Sequence, residues 1–324
     1  MIKFIMSIGL IVCGLLLGQV LKKMVENKTI KESVPVGKYM VFIQRIALLV
    51  INPVVTLGAF WGSQFNDMKF IALPILGAAA ISLGGVLAYI SSKILKHNKK
   101  QVGSMFVTGA FTNIGNFGGL ICFMFFGETS YAFVAMYKMF EEILYFLIGY
   151  PIAKMHGNYK EDAKKKNALV RIITDPFILV YFISIILGTV LNISGIVRPS
   201  GYKNLNEIFI PLSSIMLIAS VGFNMRIKAI GGYIKECFII AAIKFVIIPI
   251  SITSAAYFMG LGTIKEGLLL KVVLVLSAMP PAFNSLIPPQ IYDLDVDLAN
   301  SCWLFCTGCL VIVVPILYYL VNLI

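Results

Sequence analysis

The residues best placed to do chemistry are charges and breaks inside apolar runs. Lys138, Glu141 and Glu142 lie within the apolar block 130–153. Charges in such a setting are costly and mark function by default. Spacings of three and four residues put the Lys138 ammonium and either carboxylate on one helical face, where they can pair. One of these carboxylates can carry a coupling proton or help to hold Na⁺. The competing assignment is a structural ion pair that tethers its helix. A second group is polar and conformational. The stretch Phe111–Gly119 reads FTNIGNFGG, with Asn113 and Asn116 among the glycines. The stretch from Leu276 reads LSAMPPAFNSLIPP, with Pro280 and Pro281 adjacent and Asn284 following. Glycine lets a backbone unwind and approach a ligand. Paired prolines remove helical hydrogen bonds and crowd the preceding turn. In lipid the backbone so freed must face protein or a water-filled cavity. A half-helix that restarts after such a break offers unpaired N–H groups and a positive dipole, which suits an anion. Asn113, Gly115, Asn116, Pro280, Pro281 and Asn284 are therefore the candidate substrate contacts. Asn52, beside the kinking Pro53, joins them, and Gly115 with Gly119 also makes a GxxxG packing pattern.

Other chemistry is thinly represented. His97 and His156 both sit in Lys-rich loops, so no histidine relay lies inside an apolar block. Cys302, Cys306 and Cys309 recur at helical spacing and read as a packing stripe, with no metal ligand set. No paired nucleophile and base, Walker A loop, dinucleotide fingerprint or H-E-x-x-H occurs. The expectation is no catalytic residue and no cofactor beyond a coupling H⁺ or Na⁺. Asp175, before Pro176, reads as a helix N-cap.

The elements that must position these residues are membrane helices. Apolar residues make up 59% of the 324 and charged residues 13%. Soluble domains carry nearly twice that charged fraction. Ten apolar blocks can be marked: 2–21, 39–60, 68–95, 102–126, 130–153, 174–197, 205–224, 232–260, 267–291 and 296–321. Several are near the length needed to cross a bilayer. The net charge of +12 comes from Lys and Arg in the short loops between blocks, which sets topology and does not indicate nucleic acid. The odd-numbered loops hold most of those cations, so they face the cytoplasm and both chain ends lie outside. The halves resemble each other: LLGQVL at Leu16–Leu21 matches ILGTVL at Ile186–Leu191, and the fourth and ninth blocks are both interrupted. Five helices per half make the second half enter from the opposite side. The expected fold is an all-α polytopic membrane protein of ten transmembrane helices, built as two inverted five-helix repeats with helices 4 and 9 broken and crossing. The repeats are 1–153 and 172–324, joined by a cytoplasmic Lys-rich linker, 154–171.

Two segments carry a resemblance to a known family. SAMPPAFNSLIPPQIYDLDVDLANS and TNIGNFGGLICFMFFGETSYAFVAMYK are similar to signatures of the auxin efflux carrier family. Asn113, Gly115, Gly127, Glu128 and Tyr137 match the family pattern residue by residue, and the ten-helix layout covers the whole chain. The resemblance implies a homodimeric transporter of the cytoplasmic membrane, binding a small organic anion beside crossed helices 4 and 9. It implies carboxylates such as malate, malonate or an indole acid as substrates. Leu120 stands where the family has a proline, which leaves Gly118 and Gly119 as the expected flexible point. Glu141 and Glu142 stand where the family carries amides, which points to a different coupling ion or a cationic substrate. A sodium-coupled bile-acid-type symporter shares the layout, and a membrane-embedded sensor would bind without translocating.

Overall fold

The structure, a computed structural model, describes residues 2–29, 34–63, 68–157, 174–225 and 232–324. The expected Lys-rich linker lies outside them from residue 158 onward. Among the described residues the chain is helical, without a strand, and has one isolated antiparallel bridge, Thr112 to Pro281.

Among the described residues, seven helical stretches are long and apolar enough to cross a membrane: Ile8–Glu26, Val36–Trp61, Lys69–Ile94, Pro176–Ile193, Gly201–Asn224, Ile234–Phe258 and Val296–Val321. The helices are α1 (Ile2–Glu26), α2 (Val36–Ile46), α3 (Asn52–Trp61), α4 (Ala72–Ile94), α5 (Lys99–Ala110), α6 (Gly119–Phe126), α7 (Thr129–Tyr137), α8 (Glu141–Leu144) and α9 (Tyr150–His156). They continue as α10 (Pro176–Ile193), α11 (Gly201–Asn224), α12 (Ile234–Ala242), α13 (Ile248–Phe258), α14 (Leu268–Ser277), α15 (Ile287–Ile291) and α16 (Val296–Val321). The other three apolar blocks are interrupted. Block 102–126 becomes α5 and α6, block 130–153 becomes α7 to α9, and block 267–291 becomes α14 and α15.

Prolines shape several spans by one device. A π-helical turn at Ala47–Ile51, Tyr145–Gly149 and Ile243–Ile247 ends two residues before Pro53, Pro151 and Pro249. In each, the residue before the proline bonds the carbonyl five back: Asn52 to Ala47, Tyr150 to Tyr145, Ile248 to Ile243. Proline collides with the carbonyl four residues earlier. The wider turn relieves that clash while keeping the helix continuous.

The chain forms two compact units. The first comprises Met1–Asn66, Gly119–Ala132 and Asp175–Met225. In it α1 packs on α11 and α3 on α10. A Cβ added at Gly18 would lie 2.1 Å from the Ala219 carbonyl oxygen, and one at Gly222 would lie 2.4 Å from that of Leu15. Only glycine permits this backbone approach. Gln19 Nε2 donates to the Gly222 carbonyl at 2.5 Å and Lys22 Nζ to that of Met225 at 2.7 Å, satisfying the C-terminal end of α11. Asp175 Oδ1 accepts from the N–H groups of Phe177 (2.9 Å) and Ile178 (3.3 Å), the N-cap expected for α10.

The second unit comprises Asp67–Gly118, Phe133–Thr174 and Arg226–Ile324. Its α4 and α5 meet at Gly84 and Gly109, where a Cβ on either would come within 2.5 Å of the other's carbonyl oxygen. The break residues, except Gly119, and the charged group of block 130–153 belong to this unit. Asn52 belongs to the first.

Candidate functional site

Both interruptions of interest have a simple backbone cause. Helix α5 stops at Ala110, and Phe111 is extended at φ −74°, ψ 123°. Helix α14 stops at Ser277, just before Pro280 and Pro281. Each interruption leaves backbone groups without helical partners, and the two segments satisfy one another. Asn113 N–H donates to the Pro280 carbonyl at 2.9 Å, and Ala282 N–H donates to the Phe111 carbonyl at 3.0 Å. Thr112 and Pro281 face each other between these bonds. An apolar interior offers no water for such groups, so reciprocal pairing is the inexpensive solution.

The glycines behave differently from expectation. The non-helical residues are Phe111 to Asn113, ahead of Gly115, and the glycines lie in a π-helical turn, Ile114–Gly118, and at the start of α6. A Cβ on Gly118 would press against Leu276 Cδ2 at 2.8 Å and Met279 Cγ at 3.1 Å. Gly118 thus provides room for the end of α14. The unwinding is set by the pairing with Pro280 and Ala282, which needs no left-handed residue.

A buried polar chain runs from this pairing. Lys244 Nζ donates to Thr112 Oγ1 at 2.6 Å, and Lys244 is wholly buried. The Thr112 N–H donates to the Tyr145 hydroxyl at 2.8 Å. That hydroxyl has Glu141 Oε1 at 3.0 Å and the Thr112 carbonyl at 3.3 Å as acceptors for its single proton. The Tyr145 ring stacks on Phe111 with centroids 3.8 Å apart, which fixes the phenol against the extended segment. Lys138, Glu142 and Lys244 all lie within electrostatic reach of Glu141. The Lys138 ammonium also lies 3.3 Å from where a Cβ on Gly115 would stand. The charged group of α8 and the first break, read separately in the sequence, are thus joined.

The other expected contacts divide. Asn113 is buried; its Oδ1 accepts from Phe117 N–H at 3.3 Å, and its Nδ2 has no hydrogen-bond partner among the described residues. Asn116 and Asn284 are half-buried, Asn284 in the 3₁₀ turn Phe283–Leu286 that follows the second break. Ser285 Oγ in that turn, and Trp303 Nε1 in α16, are likewise buried and unpartnered among the described residues. The Trp303 ring meets Phe283 edge-on at 5.8 Å. Asn113, Ser285 and Trp303 are therefore donors on or against the paired segments. Asn52 Oδ1 is buried and unpartnered too, in the first unit.

Sequence reasoning did not assign Thr112, Tyr145, Ser285 or Trp303. Position gives a signal for two of them: Tyr145 follows Glu141 by one helical turn, and Thr112 adjoins Asn113. Among the described residues no group of three His, Cys, Asp or Glu side chains is placed to hold a metal ion.

Two tight polar knots stand outside the pairing. In the first unit, Glu128 accepts from the Arg198 guanidinium and from Asn206 Nδ2 (2.7 Å), while Arg198 Nη1 also reaches the Gly58 carbonyl at 2.9 Å. In the second, Asp295 caps α16 through Leu298 N–H (3.0 Å) and accepts from the Tyr233 hydroxyl (2.9 Å). Ser104 Oγ donates to the Asp295 carbonyl at 2.7 Å. Burial, with the hydrogen bond to Asp295 behind it, pushes the Tyr233 phenol up to about 12.

No family model matches the chain. Two archaeal transporters align with most of it. An uncharacterized transporter of Methanocaldococcus jannaschii is 24% identical over 245 residues, covering 74% of this chain and 75% of the relative. One of Methanothermobacter thermautotrophicus is 18% identical over 262 residues, covering 80% and 82%. With seven apolar helices of spanning length, these relatives support a multi-pass membrane transporter.

Proposed function

We propose that the protein is a secondary transporter of the auxin efflux carrier family. It moves a small organic anion, such as a carboxylate, across the cytoplasmic membrane by alternating access. The observation that carries this reading is the reciprocal backbone pairing of 111–113 with 280–282, flanked by buried donors that lack acceptors among the described residues. Asn113 Nδ2, Ser285 Oγ and Trp303 Nε1 are hydrogen-bond donors, and a carboxylate brings the acceptors they lack. Asn116 and Asn284, less buried, supply the polar rim. Glu141 carries the coupling proton or holds Na⁺, with Tyr145 and Thr112 linking it to Lys244.

The finer architecture follows the same reading: ten crossings as two inverted five-helix repeats, both ends outside, in a homodimer. Each compact unit draws corresponding elements from both halves. The first unit takes α1 with α2–α3 from one half and α10 with α11 from the other. The turn after α6 and the turn after α15 each use a left-handed residue, Gly127 at φ 77° and Asp293 at φ 55°, just ahead of an acidic knot. Such matched pairs are what an inverted repeat leads one to expect.

Binding tests the substrate assignment. Purified protein should bind radiolabelled malonate, malate or indole acetate, and Asn113→Ala should weaken that binding about tenfold, as for one hydrogen bond to a charged group. Folded protein that binds no carboxylate, or an Asn113→Ala, Asn284→Ala double variant that binds normally, would refute it.

A further inference from the structure

The first turns of the span Val36–Trp61 carry a feature that transport does not use. Gly37, Lys38, Val41, Phe42 and Arg45 of α2 line a surface cavity of about 450 Å³. In a helix at 100° per residue, Lys38, Val41, Phe42 and Arg45 fall on one stripe, with the two cations two turns, or about 10 Å, apart. Val41 is 49% exposed and Phe42 60%. Lys38 and Arg45 are exposed as well, and neither has an ion pair or hydrogen bond to a side chain among the described residues.

On a soluble protein this would be an ordinary wetted helix face. On a membrane span the surroundings are lipid. Lys38 stands near the start of the helix, at the level where a cation meets headgroups. Arg45 stands two turns further in, on the same outward stripe, where an uncompensated charge is expensive. An arginine there lowers its cost by reaching toward the surface and drawing an anion to it. Val41 with Phe42 form an apolar floor between the two cations. An anionic head held at two points above an apolar floor describes one occupant.

We propose that this stripe of α2 is a binding site for an anionic phospholipid, its phosphate held between Lys38 and Arg45 and its acyl chain lying over Val41 and Phe42. The chemistry is charge pairing at the headgroup level combined with apolar burial below it. The site is independent of the substrate assignment, because it needs neither the paired segments nor a transported anion.

Native mass spectrometry of the purified full-length protein is the test, with dioleoyl-phosphatidylglycerol and dioleoyl-phosphatidylcholine added in turn to detergent micelles. The site predicts retained phosphatidylglycerol in clear preference to phosphatidylcholine. The Lys38→Gln, Arg45→Gln variant should retain it about twenty-fivefold more weakly, the product of about fivefold per cation near an anionic surface. Lys38→Arg with Arg45→Lys should keep retention near the wild-type level, which separates charge recognition from misfolding. Glycerol phosphate should not compete, since it lacks the acyl chain. Equal retention of the two lipids overturns the proposal. So does competition by glycerol phosphate, or a lipid-free dimer whose dissociation is all that the Gln substitutions change.

Discussion

The Lys244 ammonium donates to the Thr112 hydroxyl across 2.6 Å, two residues beyond the end of α5 and wholly out of solvent. Thr112 also gives its N–H to Tyr145 and stands opposite Pro281. One residue therefore holds together the interrupted helix, its partner segment and the buried charges of two other elements.

This relationship fixes an order among substitutions. Thr112→Val removes the hydroxyl and leaves the buried ammonium without its hydrogen bond, a loss of about 2–3 kcal/mol. Lys244→Met removes the charge together with its need for a partner and should destabilise less. Thermal unfolding of the two purified variants decides the matter. A melting temperature lower for Lys244→Met than for Thr112→Val would contradict the assignment.

The Glu128 knot should behave as a coupled set. Glu128→Ala leaves the part-buried Arg198 guanidinium with the Gly58 carbonyl and no carboxylate, and takes the acceptor from Nδ2 of the buried Asn206, and should cost about 3 kcal/mol. Adding Arg198→Ala should cost less than its single effect, because the charge it removes is already unpaired. Strict additivity in the double-mutant cycle would show that the contact carries no coupling.

Tyr233 gives a pH dependence with a definite sign. Its phenol is held up to about 12 in the folded protein, first by burial and then by the bond to Asp295, against about 10 in an unfolded chain. Below pH 10 the phenol is neutral in both states and its contribution to stability is complete. As pH rises from about 10 toward 12 the unfolded chain loses the proton first, so that contribution is lost. Wild-type stability should therefore fall more steeply across this interval than that of Tyr233→Phe. Parallel curves would show that Tyr233 is not protected.

How much of this was legible beforehand depends on the range of the interactions. The helix end ahead of Pro280 and Pro281, the N-cap at Asp175 and seven of the ten apolar spans follow from local chemistry that neighbouring residues dictate, and the described residues have them. The pairing of 111–113 with 280–282 joins residues almost 170 apart, and no local rule supplies such a partner. The glycines misled for that reason: TNIGNFGG suggested a flexible point at Gly118 and Gly119, whereas the non-helical residues that meet the partner segment are Phe111 to Asn113, at least five places upstream. Lys244 is the same case, because its partner hydroxyl is 132 residues away. Glu141 and Tyr145, one turn apart, were within reach of a helical reading, which stopped at the charged residues.

Helix contact through glycine can be checked with a matched pair. Gly109→Ala would put a Cβ 2.3 Å from the Ala88 Cβ and 2.5 Å from the Gly84 carbonyl oxygen, and should cost about 1–3 kcal/mol. Gly9→Ala meets nothing within 4 Å in α1 and should gain about 0.5–1 kcal/mol from helix propensity. Equal effects would remove the close approach of α4 and α5 as a determinant.

The central claim is that a carboxylate crosses the membrane at the paired segments. Counterflow tests it most directly, with purified protein in liposomes preloaded with unlabelled malonate, malate or indole acetate and external label at trace concentration. The account predicts transient accumulation of label with at least one of these anions, reduced about tenfold by Asn113→Ala and absent from empty liposomes. Folded protein that gives no counterflow with any of them, or gives it undiminished in the Asn113→Ala, Asn284→Ala double variant, would contradict the account.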